Sequence, residues 1–156
     1  MRKPWMLVAV AAGVFAATAF LVAVATPAGA ADSKTPVVVP VDKLAWVDNP
    51  ALPGMKVAVL WGDPKTGPYA AVKRVPAGTV LGLHTHSQDQ KTVMISGVME
   101  LSIGDGPRQD MTAGSYAFIP GNVGHTAVCK AGADCVYFEE QPGPSDLKKG
   151  SPASNR

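Results

Sequence analysis

The chain is 156 residues long, with 14 basic and 12 acidic side chains and a formal charge of +2. Arg2 and Lys3 account for the excess, because 14 less these two leaves 12 basic against 12 acidic groups in residues 31–156. That balance argues against a nucleic-acid or anionic-membrane binder, both of which need a basic surface.

The N-terminus explains the asymmetry. After "MRKPW", Met6 to Ala25 is an almost unbroken apolar run, Pro27 breaks it, and Ala28, Gly29 and Ala30 follow as small residues. A basic start, an apolar run and a small-residue site form the pattern of a secretory signal peptide, with cleavage expected after Ala30. The run of about 20 residues is also long enough to span a bilayer, so a membrane anchor is the alternative. No cysteine stands directly after it, which argues against a lipid anchor. The expected location is periplasmic or secreted, with no membrane attachment after cleavage. The remaining 126 residues suit one domain and are too few for two.

Residues 31–45 read as an extended lead-in, with Pro36 and Pro40 leaving an edge strand as one option. From Lys56 onward the chain is short β-type runs broken by Gly and Pro: "MKVAVLWG", "YAAVKRV", "TVLGLHTH", "KTVMIS", "VMELSIG", "SYAFI", "HTAVC" and "CVYFEE". Seven or eight short strands at regular spacing, without helical periodicity, predict an all-β antiparallel sandwich or barrel over residues 46–146. No internal repeat is present, which excludes a two-barrel protein. The polar, Pro- and Gly-rich end predicts a disordered tail over 147–156.

Cys129 and Cys135 are the only cysteines, separated by "KAGAD". In an exported protein an even count predicts a disulfide, here across a hairpin loop. The alternative makes Cys129 a metal thiolate, four residues after His125.

Three histidines remain, and their placement carries the chemistry. Residues i and i+2 of a strand share a face, so His84 and His86 are expected side by side, about 6 to 7 Å apart at Cα. His125 opens another strand after a Gly-rich turn and completes a three-nitrogen set if the two strands are neighbours. A lone histidine on an apolar face is usually packing; three able to converge predict a metal site.

The spacing around these histidines resembles the cupin superfamily. Residues 78–97, "GTVLGLHTHSQDQKTVMISG", follow its first motif: Gly, five residues, His-x-His, three residues, an acid, six residues, Gly. Every fixed position matches except the acid, which is Gln90. Residues 114–129, "GSYAFIPGNVGHTAVC", are similar to the second motif through Gly114, Pro120 and His125, with Asn122 in place of a Gly and Cys129 in place of an Asn. The resemblance is to small exported single-domain cupins. It implies a jelly-roll β-barrel of two antiparallel sheets, with a divalent transition metal (Fe, Mn, Ni, Zn or Cu) on His84, His86 and His125. Homodimerisation through an outer sheet face is common for this fold.

Gln90 keeps the length of the usual acid and removes its charge. Its amide oxygen can bind a cation weakly, or the amide can hydrogen-bond a metal-bound water or substrate. With neutral donors an ion keeps its full charge, and the expected partner is a small anionic molecule such as an enolate, catecholate or carboxylate. Asp89 supplies the carboxylate instead if the loop bulges by one residue. A lapsed metal site is the plainer alternative. Thr92, Met94 and Ser96 are expected on the pocket side, with Met94 as core filling. Tyr116, Phe118, Tyr137 and Glu139 are candidates for lining the cavity, although solvated edge positions are the simpler reading of Glu139 and Glu140. No catalytic acid or base is assigned. The function expected is a metal-dependent dioxygenase or related oxidoreductase; the alternative is a metal- or ligand-binding module without turnover.

Overall fold

In the computed structural model, residues 36–150 are described. The expected signal peptide and the last six residues of the expected tail lie outside them. Eleven strands occur among the described residues, with a single 3-10 turn at Val41–Lys43 and no α-helix. Among these residues no helix is long and apolar enough to cross a membrane.

The strands are β1 (Val47–Asp48), β2 (Lys56–Gly62), β3 (Tyr69–Val75), β4 (Val80–Thr85), β5 (Gln90–Ser96), β6 (Met99–Ile103), β7 (Gln109–Met111), β8 (Tyr116–Ile119), β9 (His125–Cys129), β10 (Cys135–Gln141) and β11 (Lys148–Lys149). They form two sheets, ordered β1-β2-β3-β10-β5-β8 and β11-β4-β9-β6-β7, with every pairing antiparallel. This is the antiparallel two-sheet barrel that the run of short strands predicts, and the jelly roll that the cupin resemblance implies.

Period-two alternation decides what faces the interior. In β10, Cys135, Tyr137, Glu139 and Gln141 are buried and the residues between them are half-exposed. In β9 the inward row is His125, Ala127 and Cys129, and in β5 it is Gln90, Thr92 and Met94. Read together, these rows grade along the barrel. The end near Cys129 and Cys135 is packed with Val75, Met94 and Met99, whereas His125, Gln90 and Glu139 lie towards the other end. The apolar end supplies the hydrophobic stability, and the polar end holds the chemistry.

Three features differ from expectation. Residues 36–40 form no strand, since Pro36 and Pro40 lack the N–H that a ladder needs; the edge is taken by β1, paired with β2. The polar segment Gln109–Met111, too short for its alternation to stand out, pairs with β6 as β7. The expected disordered tail contributes β11, where Lys148 and Lys149 pair with Thr85 and His84 along the free edge of β4.

Candidate metal centre

His84 and His125 are register partners across β4 and β9, and His86 follows directly after β4 ends. The turn beyond β8 supports His86: the Asn122 N–H donates to the His86 carbonyl at 2.7 Å. Asn122 has a φ of 64°, a left-handed conformation that asparagine tolerates, which accounts for Asn where the family motif has Gly.

The three rings converge. Centroid separations are 4.2 Å for His84–His125, 5.1 Å for His84–His86 and 5.3 Å for His86–His125. One nitrogen from each lies within 4.8 Å of the other two, and all three side chains are buried. Each Nδ1 meets a backbone carbonyl: His84 that of Gly82 at 2.7 Å, His125 that of Val123 at 3.1 Å, and His86 that of Asp146. A carbonyl only accepts, so each Nδ1 carries the proton and each Nε2 keeps a free lone pair. Burial pushes His84 down and takes His125 to about 4, outweighing the hydrogen bonds that favour their protonated forms. Both rings are neutral at neutral pH, as metal ligands must be.

The facing sheet places a buried carboxylate opposite the histidines. Glu139 is fully buried and accepts hydrogen bonds from Tyr69 Oη at 2.6 Å, Lys73 Nζ, Gln90 Nε2 and Gln141 Nε2 at 3.1 Å. Burial raises its pKa, but the Lys73 charge and the donated hydrogen bonds outweigh that and leave it below the ordinary carboxylate value. It is therefore ionised and paired, which corrects the reading of Glu139 as a solvated edge group. Glu140, one residue on, points outward and pairs with Lys91 at 2.9 Å.

This network fixes Gln90. Its nitrogen donates to Glu139, and turning the amide over would set oxygen against carboxylate, so Oε1 is the end left over. That oxygen is buried and has no hydrogen-bond partner. An unpartnered buried acceptor costs about 1–3 kcal/mol unless something meets it. Gln90 lines the same cavity as the histidines. The donor set is three imidazole nitrogens with an uncharged oxygen at hand, and it fits a divalent transition ion.

The cavity has a volume of about 240 Å³. Around it stand Lys73, Thr92, Tyr137 and Glu139, with Met99, Leu101 and Met111 forming apolar wall. Burial pushes the Tyr137 hydroxyl well above its usual value, reinforced by Glu139 and Tyr69, so it remains an O–H donor. Of the other sequence candidates, Met94 is core, Ser96 is exposed, and Tyr116 and Phe118 face outward. Asp89 is exposed and accepts from the Gly121 N–H at 2.8 Å, so it supplies no carboxylate to the cavity. Cys129 is joined to Cys135 in a disulfide and is no thiolate ligand.

Sequence reading missed Lys73, Tyr69 and Asp146. Strand parity offered a signal for the first two, since Val75 anchors the inward row of β3. Nothing local marks Asp146.

Residues 34–142 match the ChrR cupin-like domain. No curated protein gives a significant match. Among solved structures, KdgF from Halomonas sp. is 21% identical with a TM-score of 0.57, over 69% of this chain and 94% of that one. An RmlC-like cupin from Shewanella frigidimarina is 22% identical with a TM-score of 0.55, over 69% and 92%. The polyketide cyclase RemF from Streptomyces resistomycificus is 17% identical with a TM-score of 0.62, over 77% and 89%. These likenesses are to the fold. With the double motif, the jelly roll and a family match spanning most of its length, the chain belongs to the cupin superfamily, in the family of the ChrR cupin-like domain.

Proposed function

We propose that this protein is an exported, metal-dependent cupin that acts on a small anionic organic molecule as a dioxygenase or related oxidoreductase. The observation that carries this reading is the convergence of three imidazoles, each with Nδ1 tied to a carbonyl, on one buried cavity. His84, His86 and His125 would hold the ion, with Gln90 Oε1 as a fourth, uncharged donor. A divalent Fe, Mn, Ni, Zn or Cu ion there would supply a Lewis-acid centre whose charge the protein leaves uncancelled.

The surrounding residues support an anionic partner. Glu139, the one fully buried carboxylate nearby, is occupied by Lys73 and three neutral donors, so it offsets Lys73 rather than an ion. Met99, Leu101 and Met111 would take the carbon body and exclude water, and Tyr137 offers an O–H to a polar end. At about 240 Å³ the cavity is smaller than the roughly 300–1,000 Å³ of pockets for drug-sized ligands. The occupant is correspondingly compact.

The test is reconstitution with each ion in turn, followed by exposure under air to diketones, catechols and thiol acids. Oxygen uptake matched by product is the expected result for one pairing. Metal bound without turnover across those classes defeats the enzyme reading for them. One observation favours a second reading, a binding or sensing module: both carboxylates lining the cavity are engaged, Glu139 by its four donors and Asp146 by Ser87. Tight anion binding by the metal-loaded protein, without turnover, is the outcome for that module. Intact mass of the protein from its producing cell tests export. Loss of residues 1–30 is expected; their retention means an anchor.

A further inference from the structure

The family match ends at residue 142, and the segment beyond it turns back onto the histidines. Gly143 passes so close to the Gln88 side chain that a Cβ there would come within 2.7 Å of Cδ. The Asp146 carbonyl accepts from His86 Nδ1, and its carboxylate accepts from the Ser87 N–H at 2.7 Å and the Ser87 hydroxyl at 2.5 Å. Lys148 Nζ donates to Ser87 Oγ at 2.7 Å. Lys148 and Lys149 pair with Thr85 and His84, and the Gly150 N–H donates to the Leu83 carbonyl at 3.2 Å. All of these contacts fall on residues 83–88, the segment that carries two of the three histidines.

The histidines differ in where their support comes from. His84 and His125 find their carbonyls two residues earlier, in Gly82 and Val123. His86 depends on Asp146, sixty residues away. Ser145, Asp146 and Leu147 also wall the cavity.

We propose that Asp146 is a positioning residue for the metal centre, and that residues 143–150 form a strap whose closure is coupled to ion binding. The proposal rests on the metal reading given above. With the strap closed, His86 has its proton on Nδ1 and its Nε2 lone pair turned to the other rings. With the strap open, the ring loses that acceptor and with it both tautomer and orientation, and the cavity loses one wall. Coupling is reciprocal: whatever factor the closed strap adds to ion affinity, the bound ion adds to closure.

Two measurements on the full-length, metal-stripped protein test this. Cobalt(II) affinity, read by chelator competition, is expected to fall about tenfold in Asp146→Ala, which keeps the carbonyl but removes the carboxylate's hold on Ser87 that fixes that carbonyl against His86. Asp146→Asn, whose amide oxygen still accepts from the Ser87 N–H, is expected to recover most of the loss. Ser87→Ala, which removes only the hydroxyl contacts, gives a smaller loss and serves if Asp146→Ala fails to fold. In the unaltered protein, trypsin cleavage after Lys148 requires the neighbouring residues, Asp146 included, to leave the surface. Saturating cobalt is expected to slow that cut by the factor lost in Asp146→Ala, while cleavage after the exposed Arg108 keeps its rate. Unchanged cobalt affinity in both folded variants, or bound cobalt with an unchanged rate at Lys148, overturns the coupling. Absence of cobalt binding to the unaltered protein defeats the metal reading itself.

Discussion

Gln90 Nε2 donates to Glu139 Oε2 across neighbouring strands β5 and β10, and that contact determines which end of the Gln90 amide meets the cavity. The cupin motif that residues 78–97 resemble has an acid at the Gln90 position. Here a carboxylate is already present one strand away, buried and holding four donors, so a second would stand against it. The substitution of glutamine for the acid and the burial of Glu139 are two sides of one arrangement.

Gln90→Glu therefore converts a donor–acceptor contact into two facing carboxylates. The metal-free variant is expected to lose about 1–3 kcal/mol at pH 7, the range for an unsatisfied buried polar group. Adding Glu139→Gln returns a donor to the pair and is expected to restore part of it. Urea unfolding in chelator gives the comparison. A metal-free Gln90→Glu as stable as the parent would show that the amide is free to turn.

Lys73 and Glu139 form a buried ion pair, with side chains 10% and 0% exposed. Lys73→Met leaves the carboxylate without its cation, and breaking such a pair from one side costs about 3–5 kcal/mol. The double change Lys73→Met with Glu139→Leu is expected to recover most of that. The pH dependence has a defined sign. Glu139 is held below its ordinary value in the fold, so its contribution is present above the unfolded carboxylate pKa of about 4.3 and disappears as pH falls through the lower folded value. Without Lys73, burial raises the Glu139 pKa in the variant. The gap between parent and Lys73→Met should therefore begin to narrow above the ordinary carboxylate value, as the variant's buried carboxyl takes up a proton, and finish closing as pH falls through the parent's lowered value. A constant gap down to pH 3 would contradict the pairing.

These polar residues also mark how far the sequence could be read. Strand periodicity placed the β-runs, and the histidine spacing placed the centre, because both signals are local and repeat at fixed intervals. Glu139 was within reach by the same parity. Cys135 must face inward to meet Cys129, so Tyr137, Glu139 and Gln141 face inward too. The misreading came from charge: a lone acid near a strand end is usually solvated, and its cation, Lys73, lies 66 positions away. Asp146 and β11 were beyond reach for a different reason. Their order arises from contacts with residues 83–87, and a polar Pro- and Gly-rich composition says nothing about a docking edge elsewhere.

The Cys129–Cys135 disulfide joins β9 to β10 across a sequence separation of 6, where the two sheets meet at the apolar end. Closing so short a loop stabilises by about 2 kcal/mol on a chain-entropy estimate. Replacing both cysteines by Ala should lower stability by that order and leave metal affinity unchanged, because the centre lies at the opposite end of the inward rows. Urea unfolding and cobalt titration of the same variant check the two halves. A large loss of metal affinity would show that strain passes along β9 from Cys129 to His125.

Burial holds His125 at about 4 and lowers His84 as well. In the unfolded chain these rings titrate near 6.5. Between the two values the unfolded chain binds protons that the fold refuses, so stability is fully present above about pH 6.5 and drains away as pH falls towards 4. Carboxylates with ordinary values near 4 change little between about pH 7 and pH 5.5, which leaves that window to the imidazoles. The urea midpoint of the metal-free parent is expected to fall across it more steeply than that of His125→Gln, which has no proton to gain. An equal slope would mean that His125 titrates in the fold as it does in water. The neutral lone pair it offers would then fail at mildly acidic pH, and the charge argument for an anionic substrate would hold only above it.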